Sequence, residues 1–451
     1  MMRSLYSGVA GLKTHQTRMD VIGNNIANVN TTAYKSQSMT FSDLMYQTTQ
    51  AASGANPTTG VGGINARQIG LGAKTSAIKT AITTQGASQT TNDPFDIMIT
   101  GDSFFIVNNG QNNYFTRDGS FYVDGAGNLA MTSTGYNVMG WQVDPNDASA
   151  IKQDTVSALR VMTTENMTYP PEATKSARIS GIIDKNDTNV NATAGKIMNL
   201  EFYDNQGYKY TAKLSVHSTT TEGQFTVKLD DILDSKGKTV LADPTKASLQ
   251  QNGADLTDTL LEFNTTNGSF KNVGKTGGKE STLTLHFDTG TFPSFSDITI
   301  DFSNCSNLNN NGSSTVSPIR GDAKGNGAGR KVGEMSGIDI QKDGMIYANY
   351  DNGCSRLLGQ IAVATFANAS GLAKEGDNLY SATQNSGDFD GIGTDITTGG
   401  GYMNTGVLEM SNVDLSSEFT EMITTQRGFQ ANSRIITVSD TLLEELTNLK
   451  R

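Results

Sequence analysis

Apolar positions along the chain follow a helical period at the two ends and a period of two between them. Near the start, Leu5, Val9, Leu12, Met19, Ile22, Ile26 and Val29 recur mainly at steps of three and four, the spacing of one helix face. Near the finish, Leu415, Phe419, Met422, Phe429, Ile436 and Leu443 form one seam, and Ile435, Val438, Leu442, Leu446 and Leu449 form a second beside it. The pattern predicts helices over 3–29 and 413–449. Asp414 sits where an N-cap belongs, Glu418 falls in the acidic first turn, and Lys450 and Arg451 close the basic end, all matched to the helix dipole.

One feature of the first helix is out of character. Asn24, Asn25, Asn28 and Asn30 crowd its last turns, and no charge lies between Asp20 and Lys35. Asn is a mediocre helix former because its amide competes for nearby backbone groups. A buried amide is tolerable when it finds partners, whereas an unpaired buried charge costs far more. The run therefore predicts a face that ends up covered. Since polar, Gly-rich stretches flank both helices, the expected cover is other copies of the same chain, with the free ends largely disordered.

Between the ends, residues 95–141 alternate in short runs punctuated by Asn109-Gly110, Asp118-Gly119, Asp124-Gly125 and Thr134-Gly135, which read as antiparallel hairpin turns. Residues 337–371 repeat the style, with turns at Asp343-Gly344 and Asn352-Gly353. The fold class expected is multidomain and mainly β, with helices only at the termini. Four parts follow: 1–29 with 412–451 as a helical assembly domain, 30–72 as a connecting segment, 73–147 with 330–411 as one β domain, and 148–329 as an inserted β domain, open to subdivision. The Gly-rich stretch 320–333 reads as a linker back from that insert.

Composition narrows the functional classes. A formal charge of −11 without basic clusters argues against nucleic acid as partner. No apolar run approaches the roughly 18 residues of a spanning helix, so membrane insertion is not expected. The N-terminus carries no compact apolar core and no cleavable-signal pattern. Two cysteines, Cys305 and Cys354, make no disulfide framework. The three histidines, His15, His217 and His286, join no metal or triad motif. The stretches at 184–189 and 388–395 look superficially like calcium loops but lack required ligand positions and read as Asx turns. The Gly-rich 325–329 lacks the Lys of a phosphate loop. No catalytic, cofactor or metal residues are expected.

The residues carrying the terminal pattern are recognisable. "SLYSGVAGLKTHQTRMDVIGNNIANVNTTAYK" resembles the N-terminal motif of the rod and hook group of bacterial flagellar axial proteins, departing at Ala33 where Gly is more usual. "GDSFFIV", "YFTRDGSFYVDGAGNL" and "GYNVMGW" resemble the group's shared β domain. "LGQIAVATFANASGLAKEGDNLY" and the stretch from Gly406 onward resemble its C-terminal half. The long insert resembles hook members of the group rather than the shorter distal rod members.

The resemblance implies a structural subunit, not an enzyme. Its terminal helices would form an inner, coiled-coil-like tube around an export channel, with β domains outside. The tube would act as a universal joint carrying torque from rod to filament. Partners implied are many copies of itself, the rod, hook-cap and hook–filament junction proteins, and the flagellar type III export apparatus. Location is the flagellar hook outside the cell. The residues expected at the self-assembly interface are Leu5, Val9, Leu12, Met19, Ile22, Asn24, Asn25, Ile26, Asn28, Val29, Leu415, Phe419, Met422, Phe429, Ile435, Ile436, Leu442, Leu443 and Leu446. A distal rod protein, or a secreted β-rich adhesin or carbohydrate-binding protein, is the alternative.

Overall fold

A computed structural model describes residues 2–54, 60, 62–145, 147–241, 244–256 and 259–449. Lys450 and Arg451, expected at the basic end of the last helix, lie outside the described residues. The chain divides into two compact units, one of residues 1–163, 338–348 and 356–451, the other of 164–337 and 349–355.

In the first unit, helix α1 (Met2–Ala27) and helix α2 (Leu415–Asn448) pack together, although they lie at opposite ends of the chain. Asp414 caps α2 by accepting the Ser416 N–H at 2.9 Å. The expected first helix ends earlier than its apolar stripe: Val29 lies in the turn beyond it. Helix α1 also rests on an antiparallel pair of strands, Gln37–Asp43 and Ala73–Thr80. The expected connecting segment holds the first of these strands and, among its described residues, a second strand pair, Tyr46–Gln50 with Arg67–Gly70.

The β part of this unit is built around Phe104–Asn108, which pairs with Asn113–Thr116 on one side and Asn137–Asp144 on the other. Asn137–Asp144 in turn pairs with Ser355–Ile361, so strands far apart in sequence share one sheet. Burial here is continuous rather than alternating: Phe104 to Val107 and Leu357 to Ile361 are buried without a break, as in strands covered on both faces. Phe104, Ile106, Phe115, Trp141 and Tyr380 are buried together, with Phe366 and Phe389 packed against them. The Trp141 indole N–H donates to the carbonyls of Asp154 and Ile392 at 3.0 and 2.9 Å, which satisfies the one polar atom of that core residue.

Asn109-Gly110, Asp124-Gly125 and Thr134-Gly135 do lie between paired strands. Asp118-Gly119 is different. A Cβ on Gly119 would collide with the Ile97 carbonyl, so this glycine serves a close approach of two backbones rather than a reversal of direction.

The second unit holds a six-stranded sheet and a five-stranded sheet. The first runs in the order Ala254–Asp255, Ala247–Gln251, Thr282–Phe287, Ile298–Ser306, Ser176–Ile182, Ser317–Arg320. Ser176–Ile182 and Ile298–Ser306 are its parallel neighbours. The second is Lys196–Tyr203, Lys209–Ser218, Gln224–Asp234, Thr259–Phe263 and Phe270–Gly274, all antiparallel. Alternate residues of both sheets enter one shared apolar core centred on Phe202, Phe287 and Phe295.

The Gly-rich stretch expected as a linker is bound instead. Lys175 and Ser176 donate their N–H groups to the Gly327 carbonyl at 2.9 and 3.1 Å, and the Asp322 carboxylate accepts from Lys324 and Asn326. Arg320 lies over the Tyr203 ring, 4.8 Å from its centre. Glycines are needed there because backbone approaches backbone, not because the segment swings freely.

Candidate assembly interface

The pairing of α1 with α2 is antiparallel and uses the small and polar positions of both helices. Gly8 faces Asn432 and Ile436, and Gly11 faces the Asn432 side chain. Further along, His15 faces Gly428, Arg18 pairs with Glu421 at 2.9 Å, and the Asn25 amide donates to Glu418 Oε1 at 2.8 Å. Thr14, Thr425 and Ser439 are buried in the same unit. The Thr14 hydroxyl donates to the carbonyls of Ala10 and Gly11, one turn earlier. Glycines at helix spacing allow the two backbones to approach, in the manner of small-residue seams.

This seam differs from the apolar stripe read from the sequence. Ile22 and Asn25 are buried, whereas Leu5, Leu12, Met19, Ile26, Asn28 and Val29 are half-buried, and Val9 and Asn24 are exposed. On α2, Met422, Phe429, Ile436 and Leu443 are half-buried. Leu415, Phe419, Ile435, Leu442 and Leu446 are exposed, as are Ile423 at 59%, Val438 at 56% and Leu449 at 80%. Sequence reasoning missed Gly8, Gly11, Thr14, His15, Thr425, Gly428, Asn432 and Ser439. The signal available was small residues at three- and four-residue spacing beside the apolar seam.

Asn24, Asn25 and Asn28 of the asparagine run find partners within the chain, where partners from neighbouring copies were expected. Asn25 Nδ2 also donates to the Gln37 carbonyl at 2.8 Å, while its Oδ1 accepts from the Gln37 N–H at 2.9 Å. Asn24 Nδ2 donates to the Tyr34 hydroxyl at 3.0 Å, and Asn28 Nδ2 to the Asn24 carbonyl at 2.9 Å. Burial pushes the Glu418 carboxyl above its ordinary range, and the Asn25 donor partly opposes that. A protein-internal network thus holds the end of α1 against the start of α2 and the strand that follows α1.

Three family models match successive parts of the chain. The description "Flagella basal body rod protein" covers residues 5–35, "Flagellar hook protein FlgE/F/G D1 domain" covers 98–180, and "Flagellar basal body rod FlgEFG protein C-terminal" covers 404–449. The flagellar hook protein FlgE of Borreliella burgdorferi is 37% identical over the whole of both chains. The chain belongs to the flagellar hook protein family. The hook protein FlgE of Treponema pallidum is 35% identical, again over the whole of both chains. A crystal structure of the Helicobacter pylori flagellar hook protein FlgE2 is similar over 71% of this chain and 100% of that one, at 15% identity and a TM-score of 0.41.

The other two histidines and the carboxylates of the two acidic loops have local structural partners. His217 Nε2 lies 3.0 Å from the Ser215 hydroxyl, and His286 Nδ1 lies 2.9 Å from Asp297. Asp184 accepts N–H bonds from Asn186, Asn310 and Gly312, and Asp187 accepts from Asn189 and Ser314. In the other acidic loop, Asp390 accepts from Ile392 and Gly393. Among the described residues no group of three or more His, Cys, Asp or Glu is placed to hold a metal ion. No helix among them is long and apolar enough to cross a membrane.

Proposed function

We propose that the chain is a structural subunit of a bacterial flagellar hook, polymerising head to tail into a flexible helical tube. The observation that carries this reading is the division of labour on the helix pair. Glycines and small polar residues join α1 to α2 within one chain, while Phe419, Ile423, Val438, Leu442, Leu446 and Leu449 are left exposed along α2. These exposed apolar side chains fall in two groups, Phe419 with Ile423 and Val438 with Leu442, Leu446 and Leu449, and grouped apolar side chains in water mark an association surface.

A heterologous contact that does not close into a ring generates a helical polymer. At about 1.5 kcal/mol for each large apolar side chain buried, those residues supply roughly 10 kcal/mol of gross attraction for each added subunit. Ordering costs then remove much of it. The remaining apolar positions, Leu5, Val9, Leu12, Met19, Ile26, Leu415, Ile435 and Leu443, line the same contact. The helices form an inner tube enclosing the export channel, and the β units lie outside, where wet polar contacts exchange as the tube bends. In that role the subunit passes torque from rod to filament, contacts the rod, the hook cap and the hook–filament junction proteins, and reaches its place outside the cell through the flagellar type III export apparatus.

The test is polymerisation of purified chain, followed by electron microscopy and sedimentation. Wild-type protein should form curved tubes. Val438→Lys with Leu446→Lys should remain monomeric while Trp141 fluorescence reports an intact sheet. Tubes of normal form from that variant would refute the assembly role.

A further inference from the structure

Behind the helix pair, four charged or strongly polar side chains from distant parts of the chain meet in one place. Lys35, in the turn after α1, and Glu409, at the end of the strand Val407–Glu409, are each 1% exposed and lie 2.7 Å apart, separated by 374 residues of sequence. The Lys35 ammonium also donates to the Thr84 carbonyl at 2.7 Å. Glu409 Oε1 accepts a second bond, from the Gly86 N–H at 2.9 Å. Arg117, equally buried, donates to the Gly101 carbonyl at 2.6 Å and rests over the Phe104 ring. Its Nη1 stands 3.9 Å from Glu409 Oε2. Among the described residues neither of those two atoms has a hydrogen-bond partner.

Three residues further on, Asn412 continues the same contact. Its Oδ1 accepts the Ser36 N–H at 2.7 Å, and its Nδ2 donates to the carbonyls of Ala81 and Thr84, both at 3.0 Å. Backbone bonds join the same strips, from Ala33 N–H to the Glu409 carbonyl at 2.8 Å and from Met410 N–H to the Ala87 carbonyl at 2.8 Å. Gly86 is required because a Cβ there would collide with the Met410 carbonyl.

We propose that Glu409 and Asn412 act as a latch that makes seating of the α1 root, residues 33–37, conditional on arrival of the chain's last strand. Electrostatics supply the condition. Without Glu409, Lys35 and Arg117 are two buried cations that keep one carbonyl each and only the weaker pull of the exposed Asp102 carboxylate, and burying a poorly compensated charge is strongly unfavourable. Lys35 therefore stays in water until the carboxylate is in place. The latch seats the N-terminal helix on the sheet only in a chain whose C-terminal segment has already folded against it. The inference does not depend on tube formation, since every contact lies within one protomer.

Hydrogen exchange of the full-length monomer tests it. The reporters are the amides of Ala33, Ser36 and Gly86, which the latch holds, against those of Ile106 and Phe115, which pair within the sheet. In Glu409→Gln the first group should exchange at least about tenfold faster while the second is unchanged. Unchanged protection of Ser36 and Gly86 overturns the latch. Should Glu409→Gln abolish the Trp141 signal of the folded sheet, Asn412→Ala decides. Faster exchange at Ala33 and Gly86, whose acceptors belong to Glu409, with the sheet intact supports the latch, and either unaltered exchange there or loss of the sheet refutes it.

Discussion

Gly428 on α2 lies against the imidazole of His15 on α1, so closely that a Cβ on Gly428 would stand 2.6 Å from His15 Cε1. The ring cannot retreat freely, because Phe41 packs on its other side with ring centres 5.5 Å apart. In an isolated helix Gly→Ala gains up to about 1 kcal/mol. At this position overpacking, worth roughly 1–3 kcal/mol, wins. Gly428→Ala should therefore destabilise the helix pair by about 1 kcal/mol. Gly23 is the control, since a Cβ there meets nothing within 4 Å, and Gly23→Ala should stabilise α1 by about 0.5–1 kcal/mol. Thermal unfolding followed by far-UV circular dichroism reads both. Equal gains from the two substitutions would show that the seam is looser than its geometry states.

Asn25 makes a more pointed case. It is fully buried, and a reading based on apolarity alone holds that Leu would serve better there. Yet its amide joins the N–H and carbonyl of Gln37, and its Nδ2 donates to Glu418. Asn25→Leu strands the N–H and carbonyl of Gln37, the Glu418 carboxylate and the Tyr34 hydroxyl, at about 1–3 kcal/mol for each that stays out of water. The expected loss is on the order of 3 kcal/mol, measured by denaturant unfolding of the full chain. A stabilised variant would overturn the network's role.

How much of this was legible in the sequence depends on which physical signal carries each part. Terminal helices and intervening strands announce themselves through apolar period, and Asp414 through its position before α2. The intramolecular seam does not, because Gly8, Gly11 and Gly428 contribute through what they lack in volume, and Asn432 through a polar side chain set over Gly11, rather than through apolarity. Nor do the partners of Asn25, which follow from the turn after α1 bringing Gln37 back beside it. Ala33 is an intermediate case. The sequence marks it as standing where Gly is more usual, and its φ of +52° gives the physical reason, since a Cβ is disfavoured in the left-handed region. The Lys35–Glu409 pair is invisible in sequence for want of any local pattern linking residues so far apart.

Cys305 should be chemically silent in the folded chain. Its side chain is buried in the strand Ile298–Ser306, its Sγ lies 3.4 Å from the Ile179 carbonyl, and burial pushes the thiol up to about 12, with Asp301 adding to the effect. The thiolate is the reactive form. At about pH 8 a thiol with that pKa is ionised in roughly one molecule in ten thousand. Native protein treated with iodoacetamide should carry no label on Cys305 by peptide mass spectrometry, and denatured protein should carry it fully. Rapid labelling of the native chain would show that the strand opens far more often than its burial allows.

His15 also sets a direction for the pH dependence of the helix pair. Its Nδ1 is buried with no hydrogen-bond partner among the described residues. Burial, with the neighbouring Arg18 charge adding to it, holds the imidazole below its ordinary pKa of 6.5. The charge acting on it is Arg18 on α1, itself paired with Glu421 on α2; Phe41, from the strand below, brings none. Because the folded pKa is depressed, the unfolded chain binds more protons just below pH 6.5. Stability is then fully present above that pH and falls as pH drops toward the folded pKa. The melting temperature of the helix pair should decline between about pH 7 and pH 5.5, and His15→Gln should flatten that decline while leaving the Trp141 signal unchanged. Protonation of Glu418, whose carboxyl is raised, acts in the opposite direction at lower pH, so the His15 effect is read in the upper part of the window. A His15→Gln variant that keeps the full wild-type pH slope would assign the slope to another group.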